Sequence, residues 1–122
     1  MIQELMKALF DLLANLIKSI HPLMIKPIIA LFDRLKDLFD RLKVENLARQ
    51  VKEDHIEECE IPDSVTKISS RTFVGCTSLT SINIPGLVTR IGDGAFWDCS
   101  SLISVSIPSS VTKIGIGAFW GC

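Results

Sequence analysis

The chain has 122 residues, 48% hydrophobic and 22% charged, with 13 Lys+Arg against 14 Asp+Glu and a net charge of -1. That length holds one domain or two very small ones, the apolar fraction excludes a disordered chain, and the charge balance excludes a polycation built to neutralise phosphate backbones. Each half is balanced too, with nine cations and eight anions over residues 1–55 and four and six over 56–122, so neither is a basic footprint for nucleic acid.

The N-terminal segment reads as an amphipathic helix. Over residues 2–20, Ile2, Leu5, Met6, Leu9, Leu12, Leu13, Leu16, Ile17 and Ile20 follow helical spacing, and Glu4, Lys7, Asp11, Asn15 and Lys18 form the opposite stripe. Those polar residues interrupt any secretory h-region and deny the segment the roughly 20 apolar residues of a spanning helix. The expectation is a cytoplasmic protein with reduced thiols, or a cell-surface one if a signal has been removed. Acid and base alternate on the polar face, which favours a partner helix over a membrane surface.

His21-Pro22 breaks the pattern, because the residue before proline is pushed out of the helical region. Pro27 suits the first turn of a second helix. There LFDRLKD is followed by LFDRLKV, placing Leu31, Leu35, Leu38 and Leu42 in a 4-3-4 packing seam beside Phe32 and Phe39. The seam lasts only two heptads, so the expectation is a helical hairpin over residues 1–55 rather than a long coiled coil.

From about Ile56 the chain repeats with a period of 23 residues. The columns are Pro62, Pro85, Pro108; Val65, Val88, Val111; Ile68, Ile91, Ile114; Phe73, Phe96, Phe119; and Cys76, Cys99, Cys122. Within each unit Leu79-x-x-Ile82-x-Ile84 and Leu102-x-x-Val105-x-Ile107 have the spacing of a leucine-rich repeat strand, and Ile56-x-x-Cys59-x-Ile61 fills the same columns one period earlier. Apolar residues point inward with period 2, proline ends each strand, and Gly92 or Gly115 permits a turn. The fold class is therefore α+β: an amphipathic helical hairpin over 1–55, for capping or oligomerisation, then a leucine-rich-repeat solenoid of about three 23-residue coils over 56–122.

The pattern I-P-x-x-V-T-x-I-G-x-x-A-F-x-x-C-x-S-L-x-x-[IV]-x resembles the BspA-type leucine-rich repeat, found in surface and interaction proteins of bacteria and protists. The first copy departs from it with Ser69 for Gly and Thr72 for Ala. The resemblance implies a right-handed solenoid that binds other macromolecules, and it implies no catalysis.

Candidate sites follow from the columns. Cys76, Cys99 and Cys122 fall one coil apart, near enough for a disulfide, but buried thiols in such ladders act as small hydrophobes. No C-x-x-C or neighbouring His completes a metal set, and no cofactor motif is present. His21 and His55 have no Ser, Cys or carboxylate at a triad spacing, so the chain is not read as an enzyme. Lys67, Arg90 and Lys113 stack like charges on adjacent strands, a mildly unfavourable arrangement. They face either an anionic partner or simply water. Trp97 and Trp120 share a column, stacked on each other or offered to an interface.

The function this suggests is protein contact and self-assembly. A solenoid needs a cap at each end, and the last coil stops at Cys122 in mid-repeat. Ile114, Phe119, Trp120 and Cys122 at one end and Ile56, Cys59 and Ile61 at the other form complementary faces for head-to-tail growth, even into a filament. The alternative is a discrete oligomer held by Leu31, Leu35, Leu38 and Leu42, or a monomer, displaying the repeats to another protein.

Overall fold

The computed structural model describes residues 2–122. Two helices, α1 (Ile2–Ile17) and α2 (Pro22–Glu53), precede six short strands: β1 (Glu58–Glu60), β2 (Lys67–Ile68), β3 (Ser81–Asn83), β4 (Arg90–Ile91), β5 (Ser104–Ser106) and β6 (Lys113–Ile114). The chain divides into two compact units, one ending at Leu38 and the other running Phe39–Cys122. The boundary lies inside α2, upstream of the repeat, because the last turns of that helix share the core of the repeats.

In the first unit Ser19 closes α1, its hydroxyl donating to the Leu16 carbonyl at 3.0 Å. His21 opens α2, its ring Nδ1 accepting the Leu23 N–H at 3.3 Å. The helix therefore starts at Pro22, not Pro27, and Pro27 sits in its interior. The half-buried residues Met6, Phe10, Leu13 and Ile17 are spaced 4-3-4, and Ile25, Ile28, Phe32 and Leu35 are spaced 3-4-3. An edge-to-face contact of Phe10 with Phe32, centroids 4.6 Å apart, brings those two rows together. The seam expected through Leu31, Leu35, Leu38 and Leu42 is thus displaced by one helical column. Only Leu35 is half-buried, while Leu31, Leu38 and Leu42 are exposed, because the aromatic pair takes the inner position. No residue of α1 is buried.

The second unit owes its order to the 23-residue register. Strands β1, β3 and β5 form one parallel sheet and β2, β4 and β6 another, pairing Cys59 with Ile82, Ile82 with Val105, Ile68 with Ile91 and Ile91 with Ile114. Residues of one column therefore stack, identical ones among them. Phe73, Phe96 and Phe119 lie parallel with centroids 5.2 Å apart at each step, and Phe73 and Phe96 are fully buried. The backbone follows the same register between strands: Phe73 N–H donates to Ala95 at 2.8 Å and Phe96 N–H to Ala118 at 2.7 Å.

Glycine serves this stacking in two ways. Gly92 and Gly115 are not the turn residues the sequence suggested; a Cβ on Gly92 would lie 2.5 Å from Ser70 N, and one on Gly115 would strike Asp93 N. They admit the backbone of the preceding repeat. Ser69 stands in that column where no earlier repeat approaches, which explains its departure. The left-handed turns fall elsewhere, at Arg71, Gly94 and Gly117 and at Gly75, Asp98 and Gly121.

The start of the repeats is covered by α2. Val44, Ala48 and Val51, spaced on one helical face, are buried in one cluster with Cys59 and Ile61. Asp40 accepts a hydrogen bond from the Ser64 hydroxyl at 3.0 Å. At the helix end His55 takes a left-handed φ of 52° and Ile56 N–H donates back to the Val51 carbonyl at 3.1 Å, the bond of a Schellman cap.

Candidate functional site

The β2–β4–β6 sheet aligns Lys67, Arg90 and Lys113 side by side. Strand alternation turns Ile68 and Ile91 inward and leaves the three cations exposed. They line a groove of about 470 Å³ together with Ser70, Asp93 and a residue from α2, Arg41. Arg41 donates through Nε to Glu45 at 2.8 Å, the Arg41 side chain mostly in water and that of Glu45 partly so. Asp93 is held as well, accepting the Ile116 N–H at 2.9 Å. Lys67, Arg90 and Lys113 have no ion-pair partner among the described residues. Sequence reasoning found the column and missed Arg41, whose place depends on which face of α2 covers the repeats. The signal was the 44-48-51 stripe, which sets Arg41 at its edge.

A second feature lies on the other side of Asp93. Trp97 and Trp120 contact each other with centroids 4.6 Å apart at 40°. Trp97 packs over the glycine column, since a Cβ on Gly117 would come within 3.0 Å of its ring. Trp97 is half-buried and Trp120 is 62% exposed. The indoles touch at a tilt rather than stacking face to face, and the outer one remains exposed to solvent.

The expected end faces differ from each other. At the last repeat Ile114 is 47% exposed, Phe119 half-buried and Cys122 exposed, and Phe119 and Cys122 border a depression of about 280 Å³ with Leu102 and Val105. At the first repeat Cys59 is 6% and Ile61 2% exposed and Ile56 is half-buried. These three are not an open mating surface, because Val44, Ala48 and Val51 already cover them.

The cysteines are free thiols. Cys59, Cys76 and Cys99 are buried, and the Cys99 thiol donates to the Phe73 carbonyl at 3.1 Å as Cys122 does to Phe96 at 3.2 Å. Burial, with the charges of Cys76 and Glu60, pushes the Cys59 thiol up to about 11. A hydrogen bond with Cys76, then burial, drives Cys99 upward, and that same bond draws Cys76 down. Cys59 and Cys99, buried and raised in this way, are packing groups. His21 caps α2, and His55 Nδ1 lies 3.3 Å from the Ser78 hydroxyl. No set of three or more His, Cys, Asp or Glu among the described residues is placed to hold a metal ion.

The family model for the BspA type leucine rich repeat region (6 copies) matches residues 50–122. The chain belongs to this family. The chain is similar to a leucine-rich repeat protein of known structure from Bacteroides ovatus, 39% identical over 55% of the present chain with a TM-score of 0.53. The match covers 18% of that protein, so the BspA-type chain spans a small part of the length of the protein it resembles. No curated protein matches the sequence. Leucine-rich repeats of this family suggest a protein-interaction role, typically without catalysis.

Proposed function

We propose that the protein is a non-enzymatic interaction protein: a short solenoid of about three 23-residue coils presents a surface to another protein, and helices α1 and α2 bring copies of the chain together. The observation that carries self-association is the apolar row left outside the first unit's own contacts. Leu5, Leu9, Leu12 and Leu16 follow helical spacing on α1 and are all exposed, as are Leu31 and Leu38 on α2. Contiguous exposed apolar rows mark interaction sites, and a four-helix arrangement buries such rows.

Head-to-tail growth through the repeats, into a filament, is the second reading. Exposure of Ile114 and Trp120 favours it; the burial of Cys59 and Ile61 under α2 leaves it without the partner face the sequence suggested. Sedimentation over a wide concentration range separates the two. Helix-mediated association gives a closed oligomer of fixed size that Leu12→Glu dissociates and Trp120→Glu does not. Open-ended growth abolished by Trp120→Glu establishes filament assembly instead, and a monomer at every concentration rejects both.

A further inference from the structure

We propose that the groove framed by Arg41, Lys67, Arg90 and Lys113 binds an acidic peptide segment in extended conformation, lying along the stacked strands. It is independent of how copies of the chain associate.

Three observations meet there. The register sets Lys67, Arg90 and Lys113 on neighbouring strands, and like charges directly opposite each other destabilise a sheet. None of the three is neutralised by a carboxylate among the described residues. A fourth cation, Arg41, reaches the same groove from α2, a different element. Against these stand Asp93, already accepting from Ile116 N–H, and Glu45, already paired with Arg41. The groove therefore has an uncompensated positive charge that an anion with several charged groups would relieve.

The geometry selects among anions. Strands lie about 4.8 Å apart, so the outer two lysine positions are separated by roughly twice that distance. A single small ion spans only part of this row. In an extended peptide alternate side chains share one face at about 6.6–7 Å, so two carboxylates reach cations on different strands, and Ser69 and Ser70 line the same groove. Single-stranded nucleic acid is bound by stacking bases on aromatic rings, and no aromatic residue lines this groove. The nearby indoles of Trp97 and Trp120 are engaged with each other.

The test uses the full-length protein and a fluorescent octapeptide of alternating glutamate and serine, followed by anisotropy at low and at physiological salt. Saturable binding that weakens as salt rises is expected. Arg90→Glu is expected to lower affinity about tenfold or more, and Arg90→Lys to retain binding. Because Arg90→Glu places an acid between two lysines, its melting temperature should equal or exceed that of the parent, so lost binding does not reflect lost folding. Lys67→Gln supplies a second, milder variant with a smaller loss. Absence of saturable peptide binding overturns the proposal, as does undiminished binding by Arg90→Glu. Binding of inorganic phosphate or an oligo-thymidylate as tightly as the peptide also overturns it.

Discussion

The two units use apolar residues in opposite ways. In the unit ending at Leu38 the hydrophobic residues are arranged by helical spacing, yet none in α1 is buried and Leu5, Leu12, Leu23 and Leu31 are more than half exposed. In the unit from Phe39 onward the inward side chains of the repeats meet residues of their own column in the next repeat, and Phe73, Leu79, Val88, Ile91 and Phe96 are fully covered. A periodic sequence closes its core with itself, because register places like against like and hydrogen bonds fix the spacing. An amphipathic helix has no such built-in partner, and a hairpin of two helices covers only one face of each. Stability should therefore reside in the repeats, and association in the helices.

The sharpest way to break that contrast is to empty the aromatic stack. Phe96 is 0% exposed and lies parallel to Phe73 on one side and Phe119 on the other. Phe96→Ala should cost about 3–5 kcal/mol, the usual range for a buried Phe, whereas Leu12→Ala, at 57% exposure, should change monomer stability by less than about 0.5 kcal/mol. Chemical denaturation of both variants, read at a concentration where the protein is monomeric, checks the comparison. Equal losses would mean that the helical unit contributes to the core.

A smaller effect probes the backbone contact rather than the side chains. Gly92→Ala drives a methyl group against Ser70 N and Ser69; relief by backbone shifts should cost about 1–3 kcal/mol, as overpacking does. Ser69→Gly, in the same column without a preceding repeat, should fall within about 1 kcal/mol of the parent. Thermal melts of the pair separate a stacking constraint from a turn constraint, since a column that needed glycine for a left-handed turn would be stabilised by Ser69→Gly as clearly as it is destabilised by Gly92→Ala.

These glycines also show how far the sequence was legible. The 23-residue columns gave the strand pairing, the inward residues and the row of cations, because a repeat repeats its own contacts. They did not give the role of Gly92 and Gly115, which lies in the approach of a neighbouring backbone and leaves no periodic trace beyond the glycine itself. Leu31, Leu35, Leu38 and Leu42 misled for a related reason. The heptad duplication is genuine, but α2 is apolar on more than one side, and only Phe10, in a different helix, decides that Phe32 turns inward. Arg41 was hidden likewise, its position set by a tertiary contact of Val44, Ala48 and Val51. Cys59 and Ile61 fit a repeat strand and are one; what the columns could not tell is that a helix covers them.

That helix-covered position predicts a pH dependence confined to the second unit. Cys59 is held up to about 11 against an ordinary 9.0, chiefly by burial. Its neutral form is therefore favoured by folding: the contribution is complete below pH 9.0, where the unfolded thiol is also neutral, and declines as pH rises towards 11. Denaturation midpoints measured across that window should fall with pH, and Cys59→Ala should flatten part of the fall while leaving the helical content of α1 unaffected. A parent and variant with parallel pH profiles would place the thiol in water.

The weakest expected response comes from the exposed threonine column. Thr89 donates through Oγ1 to the Thr66 carbonyl at 3.2 Å, and Thr112 does the same to Thr89 at 3.2 Å. Each of those carbonyls already accepts a backbone N–H from the same residue, at 2.8 Å and 2.9 Å. Removing the hydroxyl thus leaves no acceptor unsatisfied, and valine keeps the β-branched shape that suits an extended backbone. Thr89→Val should cost about 0.5 kcal/mol or less, the low end for a hydrogen bond whose partners remain wet. Equilibrium unfolding of the single variant and of Thr89→Val with Thr112→Val should show two small, additive losses. A loss in the double variant approaching that of Phe96→Ala would shift the source of order in the repeats from the buried stack to the hydrogen-bonded surface.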